Sequence, residues 1–377
     1  MCSSDLGANP ALAFTLRGRF ARLGVNRFGE WGGFDGLSGS IDANQAQGTL
    51  RVESENIVLD AARRLPEPMR FDSLVAGVSW KRQPLRVSFS NVAVSNHELA
   101  GTAHGAWTAT AEGPGNLELT GSVSRADATA VWRYIPLLPA SVADYLKAAV
   151  TAGAVSDGQV RMRGDLRDFP YGDARKKGLF QVAGRINGGE LEYASRWPRA
   201  SGITGDLRID GPRIQLTASR ATMLGARLSN VRGQIPDFRS GDERLRIEGA
   251  ADGPVPEFLR FIEQSPVAEM TANATRGMSG AGAGRLQLTL DLPLRRLSQT
   301  RVNGAFQFSG NAFSFDPALP ALSQLTGRLD FNEEGVSGRG LNAQFLGGPA
   351  NFSLTRGERG YQVSAQGSAN VTAVQRA

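Results

Sequence analysis

"LPALSQLTGRLDFNEEG" (residues 319–335) and "WPRASGITGDLRIDG" (197–211) are one phrase written twice. In each, a bulky apolar residue precedes a proline, and seven residues after the proline stands Gly-x-Leu-x-(Ile/Phe)-(Asp/Asn). A weaker third copy, "MRFDSLVAGVSWKRQ", occupies 69–83. The anchor glycines are Gly77, Gly205 and Gly327. Before them run "GTLRVESENIVLDA" from Gly48, "GLFQVAGRINGGELEY" from Gly178 and "GAFQFSGNAFSFDP" from Gly304. After them come glycines 121, 249 and 367, at spacings of 44, 44 and 40 residues. Three landmarks in one order identify a protein of large repeats. The expected units are an irregular start at 1–9, then 10–140, 141–265 and 266–377, the last incomplete at its end.

Within each copy, apolar residues alternate with polar or small ones, the period of a half-buried strand. Leu50/Val52, Phe180/Val182 and Phe306/Phe308 form one set. Ile57/Leu59, Leu191/Tyr193 and Phe313/Phe315 form a second, and Leu207/Ile209 with Leu329/Phe331 a third. These residues are expected to share one side, with Gln181, Glu192, Gln307 and Ser314 on the other. "RINGGE", "IDGPR" and "NEEG" read as turns between strands. Buried parallel sheet would give unbroken apolar runs, so the pattern predicts antiparallel sheet with one wet face.

Helical patterning is confined to the joints. "SVADYLKAAVTAG" (141–153) puts Val142, Tyr145, Leu146 and Ala149 on one face, with Gly153 as a C-terminal cap. "VPEFLRFIEQ" (255–264) holds the corresponding place in the next unit, and the chain stops at Ala377 where another joint helix should begin. The sequence therefore reads as a piece of a longer array. Two helices are too few to cover roughly twenty strands. A sheet curled over its own apolar face would solve this, as an elongated trough on the order of 100 Å long at strand spacing. Such a channel suits chain-like apolar cargo. A closed, dry sandwich core would show the same alternation, and periodicity alone leaves both readings open.

Composition sets further bounds. The chain carries 42 basic and 36 acidic residues, well mixed, and only four of the basic ones are lysines. No compact basic patch supports nucleic-acid binding. No apolar run of about 18 residues spans a bilayer. "MCSSDLGANP" is neither a signal peptide nor a lipid-attachment site, which reads as a truncated start. Cys2 is the single cysteine, excluding an intramolecular disulfide or a thiolate cluster. His97 and His104 lie in a turn-rich stretch without metal-ligand spacing. "DFNEEG" (330–335) imitates a calcium loop, but its twelfth position is Leu341, so a hairpin turn is expected. "GAGAG" (280–284) precedes a strand and lacks Gly-Lys-Ser/Thr, so it is not a phosphate loop. No catalytic constellation, cofactor or metal site is predicted; a wall-polymer enzyme on a β scaffold ranks last.

"GDLRDFPYGDARKKGLFQVAGRINGGELEYASRWP" (164–198) resembles the central region of the AsmA-like bacterial envelope proteins, in the YhdP branch. So do "GPVPEFLRFIEQSPV" (253–267), "GRLQLTLDLPL" (284–294) and "FLGGPANFSL" (345–354). The resemblance implies a mainly β fold of repeating grooves forming a taco-shaped apolar trough, with short helices at the joints. It implies a periplasmic segment of a protein held in the inner membrane by an N-terminal anchor this chain lacks. It further implies phospholipid as cargo, outer-membrane components as partners, no catalysis and no cofactor. The sixteen alternating residues from Leu50 to Phe331 named above are then the groove lining. The competing reading is a non-catalytic envelope scaffold or assembly factor with a dry core.

Overall fold

The computed structural model describes residues 14–27, 32–172, 177–271, 273, 275–357 and 360–376. Among the described residues, twenty strands belong to one open antiparallel sheet, accompanied by four short helices. The chain forms two compact units. One comprises the described residues to Tyr145 together with Val155–Gly184; the other comprises Leu146–Ala154 and the chain from Arg185 onward.

In the first unit, seven strands follow in chain order, each paired with the next. They are β1 (Thr15–Val25), β2 (Gly33–Asn44), β3 (Gln47–Asp60) and β4 (Met69–Arg82). Next come β5 (Leu85–Ser95), β6 (Leu99–Thr108) and β7 (Asn116–Asp127). Tight turns make this meander possible: the Asn44 side chain accepts from the backbone N–H groups of Ala46 and Gln47, closing β2 onto β3. Helix α1 (Ala140–Ala149) follows, then β8 (Val150–Asp165) and β9 (Gly178–Leu191).

The second unit continues with β10 (Ala200–Asp210), β11 (Arg213–Met223), β12 (Ala226–Ile235) and β13 (Arg244–Pro254). Helices α2 (Val255–Glu263) and α3 (Val267–Met270) interrupt the sheet. It resumes with the short β14 (Ser279–Ala281), β15 (Ala283–Pro293), β16 (Arg301–Ser314) and β17 (Leu322–Asn332). The last elements are β18 (Gly335–Phe345), β19 (Gly348–Gly357), β20 (Gly360–Gly367) and α4 (Val371–Arg376).

The repeated phrase now has a strand-level meaning. Its anchor glycines lie on β4, β10 and β17, and the glycines that open each copy lie on the strand before, β3, β9 and β16. Three strands later, at β7, β13 and β20, the sheet meets a helix each time.

Three local readings differ from the structure. Gly153 does not cap α1. The helix runs directly into β8, because its last carbonyl, at Ala149, accepts from the Glu192 N–H at 2.8 Å as a strand residue would. The face of α1 is also rotated: Ala143 and Ala149 are buried, whereas Val142 and Tyr145 are 41% and 49% exposed. "RINGGE" is not a turn but lies inside β9, with Gly188 at φ +63. That irregularity has a purpose. Val182 and Leu191 are nine residues apart, an odd interval that a regular strand would place on opposite sides. Asn56 (φ +55) in β3 and Gly310 (φ +83) in β16 sit in the matching intervals of the other copies. Each copy thus carries one left-handed residue where its apolar pattern changes parity.

"NEEG" and "IDGPR" are hairpins as read. Asn332 accepts from the N–H groups of Glu334 and Gly335, and Asp210 pairs with Arg213. "GAGAG" is divided between β14 and β15 at Gly282.

Candidate functional site

Along each unit the apolar side of the sheet divides into a dry lane and a half-open lane. In the first unit the dry lane is Val52, Ile57, Phe71, Leu74 and Ala76, none more than 8% exposed. Tyr134, from a short 3-10 turn at Val131–Tyr134, packs against it. A buried polar knot fixes that turn. Tyr134 donates to Glu98 Oε2 at 2.8 Å, Arg133 pairs with the other Glu98 oxygen, and Asn96 Nδ2 reaches both the Arg70 carbonyl and the Tyr134 hydroxyl. In the second unit the dry lane is Phe308, Phe313, Leu322, Leu325 and Leu341, closed by Val255 and Leu259 of α2. The Phe258 ring of α2 meets Phe306 edge-on at 5.1 Å. Fully burying side chains of this size contributes about 1.5–3 kcal/mol each.

The half-open lane follows from register. Directly paired residues of antiparallel strands point to the same side. In the first unit one such row runs Gly48, Trp80, Val87, Trp107, Leu117, and the next runs Leu50, Val78, Phe89, Gly105, Leu119. In the second, a row runs Leu207, Leu216, Gly233, Ile247, Leu290, Val302, and a shorter one runs Leu288, Gly304, Phe331, Val336. Apart from Gly48 and Gly304, which are buried, every one of these residues is only half-buried. The reverse side is polar and carries exposed ion pairs such as Arg17–Asp42, Arg232–Glu248 and Arg328–Asp330. Surface pairs of this kind add little stability, but they keep that side wet.

The residues expected to line the groove fall in three groups. Val52, Ile57, Phe308 and Phe313 belong to the dry lane. Leu50, Leu59, Phe180, Val182, Leu191, Leu207, Ile209, Phe306, Leu329 and Phe331 are half-buried strand residues. The remaining two stand apart. β9 ends at Leu191, so Tyr193 lies beyond it, its ring 6.0 Å from Trp197. Phe315 is 45% exposed, with its ring 4.7 Å from Phe313. Of the residues expected opposite them, Gln307 is exposed within β16, Gln181 and Ser314 are half-buried, and Glu192 is exposed just past the end of β9.

Sequence reasoning left out Trp80, Trp107, Ile247, Leu288 and Leu290. The Leu-x-Leu-x-Leu run of "GRLQLTLDLPL" was the available signal. It also missed Asn311, which is 0% exposed in β16. Its Nδ2 donates to the carbonyls of Ala281 and Ala283, while its Oδ1 accepts from the Ser309 N–H at 2.7 Å. Nothing in one dimension separates this asparagine from a turn residue.

Titratable chemistry is sparse. Arg295 donates to the Glu243 carboxylate at 2.6 and 3.0 Å and, with backbone N–H groups, holds its pKa down at about 2. Among the described residues, no cluster of three or more His, Cys, Asp or Glu is placed to hold a metal ion, and no helix is long and apolar enough to cross a membrane.

The profile of the YhdP protein family matches residues 4–377. The chain belongs to that family. YhdP proteins are envelope-associated and are not a known enzyme family. A second similarity is partial: the chain is 24% identical over 247 residues to "Toxin CdiA" of Yersinia pestis, covering 56% of this chain and 8% of that protein. No solved structure matches. Within the YhdP assignment, the one-sided sheet and its half-open rows are the features that need a use.

Proposed function

We propose that the half-open lane is a bed for the acyl chains of phospholipid, and that this YhdP segment conducts lipid between the inner and outer membranes. The observation that carries this reading is the row through Leu216, Ile247 and Leu290. It is apolar and only half-buried among the described residues, and the opposite side of the same strands carries ion pairs. Contiguous apolar surface left open in this way marks a binding site more often than a defect. Each methylene moved from water onto such a surface gains about 0.8 kcal/mol, so an acyl chain would be held without any specific polar contact. Phospholipid partnership, a periplasmic position, an inner-membrane anchor elsewhere in the protein and outer-membrane partners all belong to this proposal. A scaffold role accounts for the dry lane but gives the row at Leu290 no purpose.

A photoreactive amino acid at Leu290, compared with one at Thr289 on the polar side, tests the reading in cells. Cross-linking to phospholipid at Leu290 alone is the expected result. Equal labelling at both positions, or none at Leu290, would remove the conduit.

A further inference from the structure

The glycines that open the three copies, Gly48, Gly178 and Gly304, share an environment that the repeat alone does not explain. Each has an aromatic ring where a Cβ would stand, although Gly48 and Gly304 are buried and Gly178 is exposed. A Cβ at Gly48 would come within 2.3 Å of Trp80, at Gly178 within 2.1 Å of Tyr171, and at Gly304 within 2.2 Å of Phe331. None of the three has a left-handed backbone, so glycine is required there by space and not by conformation.

The rings arrive by different routes. Trp80 and Phe331 reach across from the residue directly opposite in the next strand. Tyr171 comes instead from the segment that precedes β9. Different elements therefore deliver a ring to the same glycine of the repeat. Elsewhere the device recurs: a Cβ at Gly284 would come within 2.2 Å of Phe306, and one at Gly105 within 2.7 Å of Phe89 as well as 2.0 Å of the Glu118 carbonyl oxygen.

A ring packed against a glycine covers its backbone and stabilises a strand. It has a second consequence in the half-open lane. Trp80, Phe89 and Phe331 are members of its rows, and each ring takes up space that a Cβ on the facing glycine would otherwise fill, so a larger residue there would push the ring outward. We propose that the ring-capped glycines set the clearance of the lane, and through it the bulk of the apolar chain the lane accepts. This rests on the conduit reading above.

The test uses the whole 377-residue chain and two probes, palmitate and palmitoyl-oleoyl phosphatidylglycerol, with bound amounts measured after gel filtration. Gly304→Ala lifts the Phe331 ring into the lane. It is expected to lower retention of the two-chain lipid about tenfold relative to palmitate, the lower end of the discrimination that one methylene-sized change gives an apolar site. Phe331→Leu, which keeps the glycine and shrinks its cover, should shift the ratio the other way, and Gly304→Ala/Phe331→Leu should return it towards the wild-type value. A change in stability alone would move both probes together and leave their ratio fixed. An unchanged ratio in Gly304→Ala and Phe331→Leu, with lipid still bound, would overturn the inference and leave the conduit standing. Wild-type chain that holds neither probe would remove both.

Discussion

Phe308 and Phe313 lie five residues apart on one strand, yet their rings meet on the same side with centroids 5.7 Å apart. A regular strand would separate them by the thickness of the sheet. The register shifts between Ser309 and Phe313, and the buried Asn311 side chain anchors the irregularity to β14 and β15. Asn311→Ala would take the partner from two carbonyls and one N–H at part-buried hydrogen bonds. A loss of about 2–3 kcal/mol in unfolding free energy is expected, read from urea denaturation. A loss below the error of the fit would show that the bulge holds itself.

The facing of β16 is open to direct chemical reading. With Cys2 replaced by serine, Gln307→Cys should react quickly with a water-soluble thiol reagent, and Phe308→Cys, in a position 3% exposed, should react only on unfolding. Reversed reactivities would mean a register off by one residue.

The division into two lanes predicts that a charge is tolerated in one and not in the other. Phe308→Glu places a carboxylate in the dry lane, at a cost of several kcal/mol even after its pKa rises. Aggregated or unfolded protein is expected. Leu290→Glu places the same charge where water reaches, so near-normal circular dichroism and a cooperative melt are expected. Equal damage from both substitutions would mean that the lane at Leu290 is closed.

Alkaline titration reports on the knot at Tyr134. Burial, aided by the Glu98 carboxylate, pushes its pKa from 10.0 to about 12. The folded chain favours the neutral phenol, so this contribution is complete below pH 10.0 and is lost as pH rises to about 12. Tyr193, raised by burial to about 12, titrates in the same window. Unfolding free energy should therefore fall across it, and Tyr134→Phe should remove part of that slope. An unaltered slope in Tyr134→Phe would place the effect on other groups.

Fold class was legible because alternation is a local property: Leu207/Ile209 and Leu329/Phe331 announce a one-sided sheet whatever lies beside them. The parity changes were legible in principle. The five-residue interval from Phe308 to Phe313 already demands a bulge, though nothing local says that Gly310 and Asn311 supply it. The lanes were not legible. Phe306 and Phe308 are chemically identical and two residues apart, and only packing brought from elsewhere in the chain leaves Phe308 3% exposed and Phe306 half-buried. The rings over Gly48, Gly178 and Gly304 depend on partners as distant in sequence as Trp80, so they too escape a reading along the chain.

Mass spectrometry of organic extracts tests the central claim most directly. The chain, directed to the bacterial periplasm and purified without detergent, should carry phospholipid in near-stoichiometric amount. Leu290→Glu, folded as judged by circular dichroism, should carry much less. Wild-type protein that is folded and free of phospholipid, or Leu290→Glu protein that carries as much as wild type, would contradict the account.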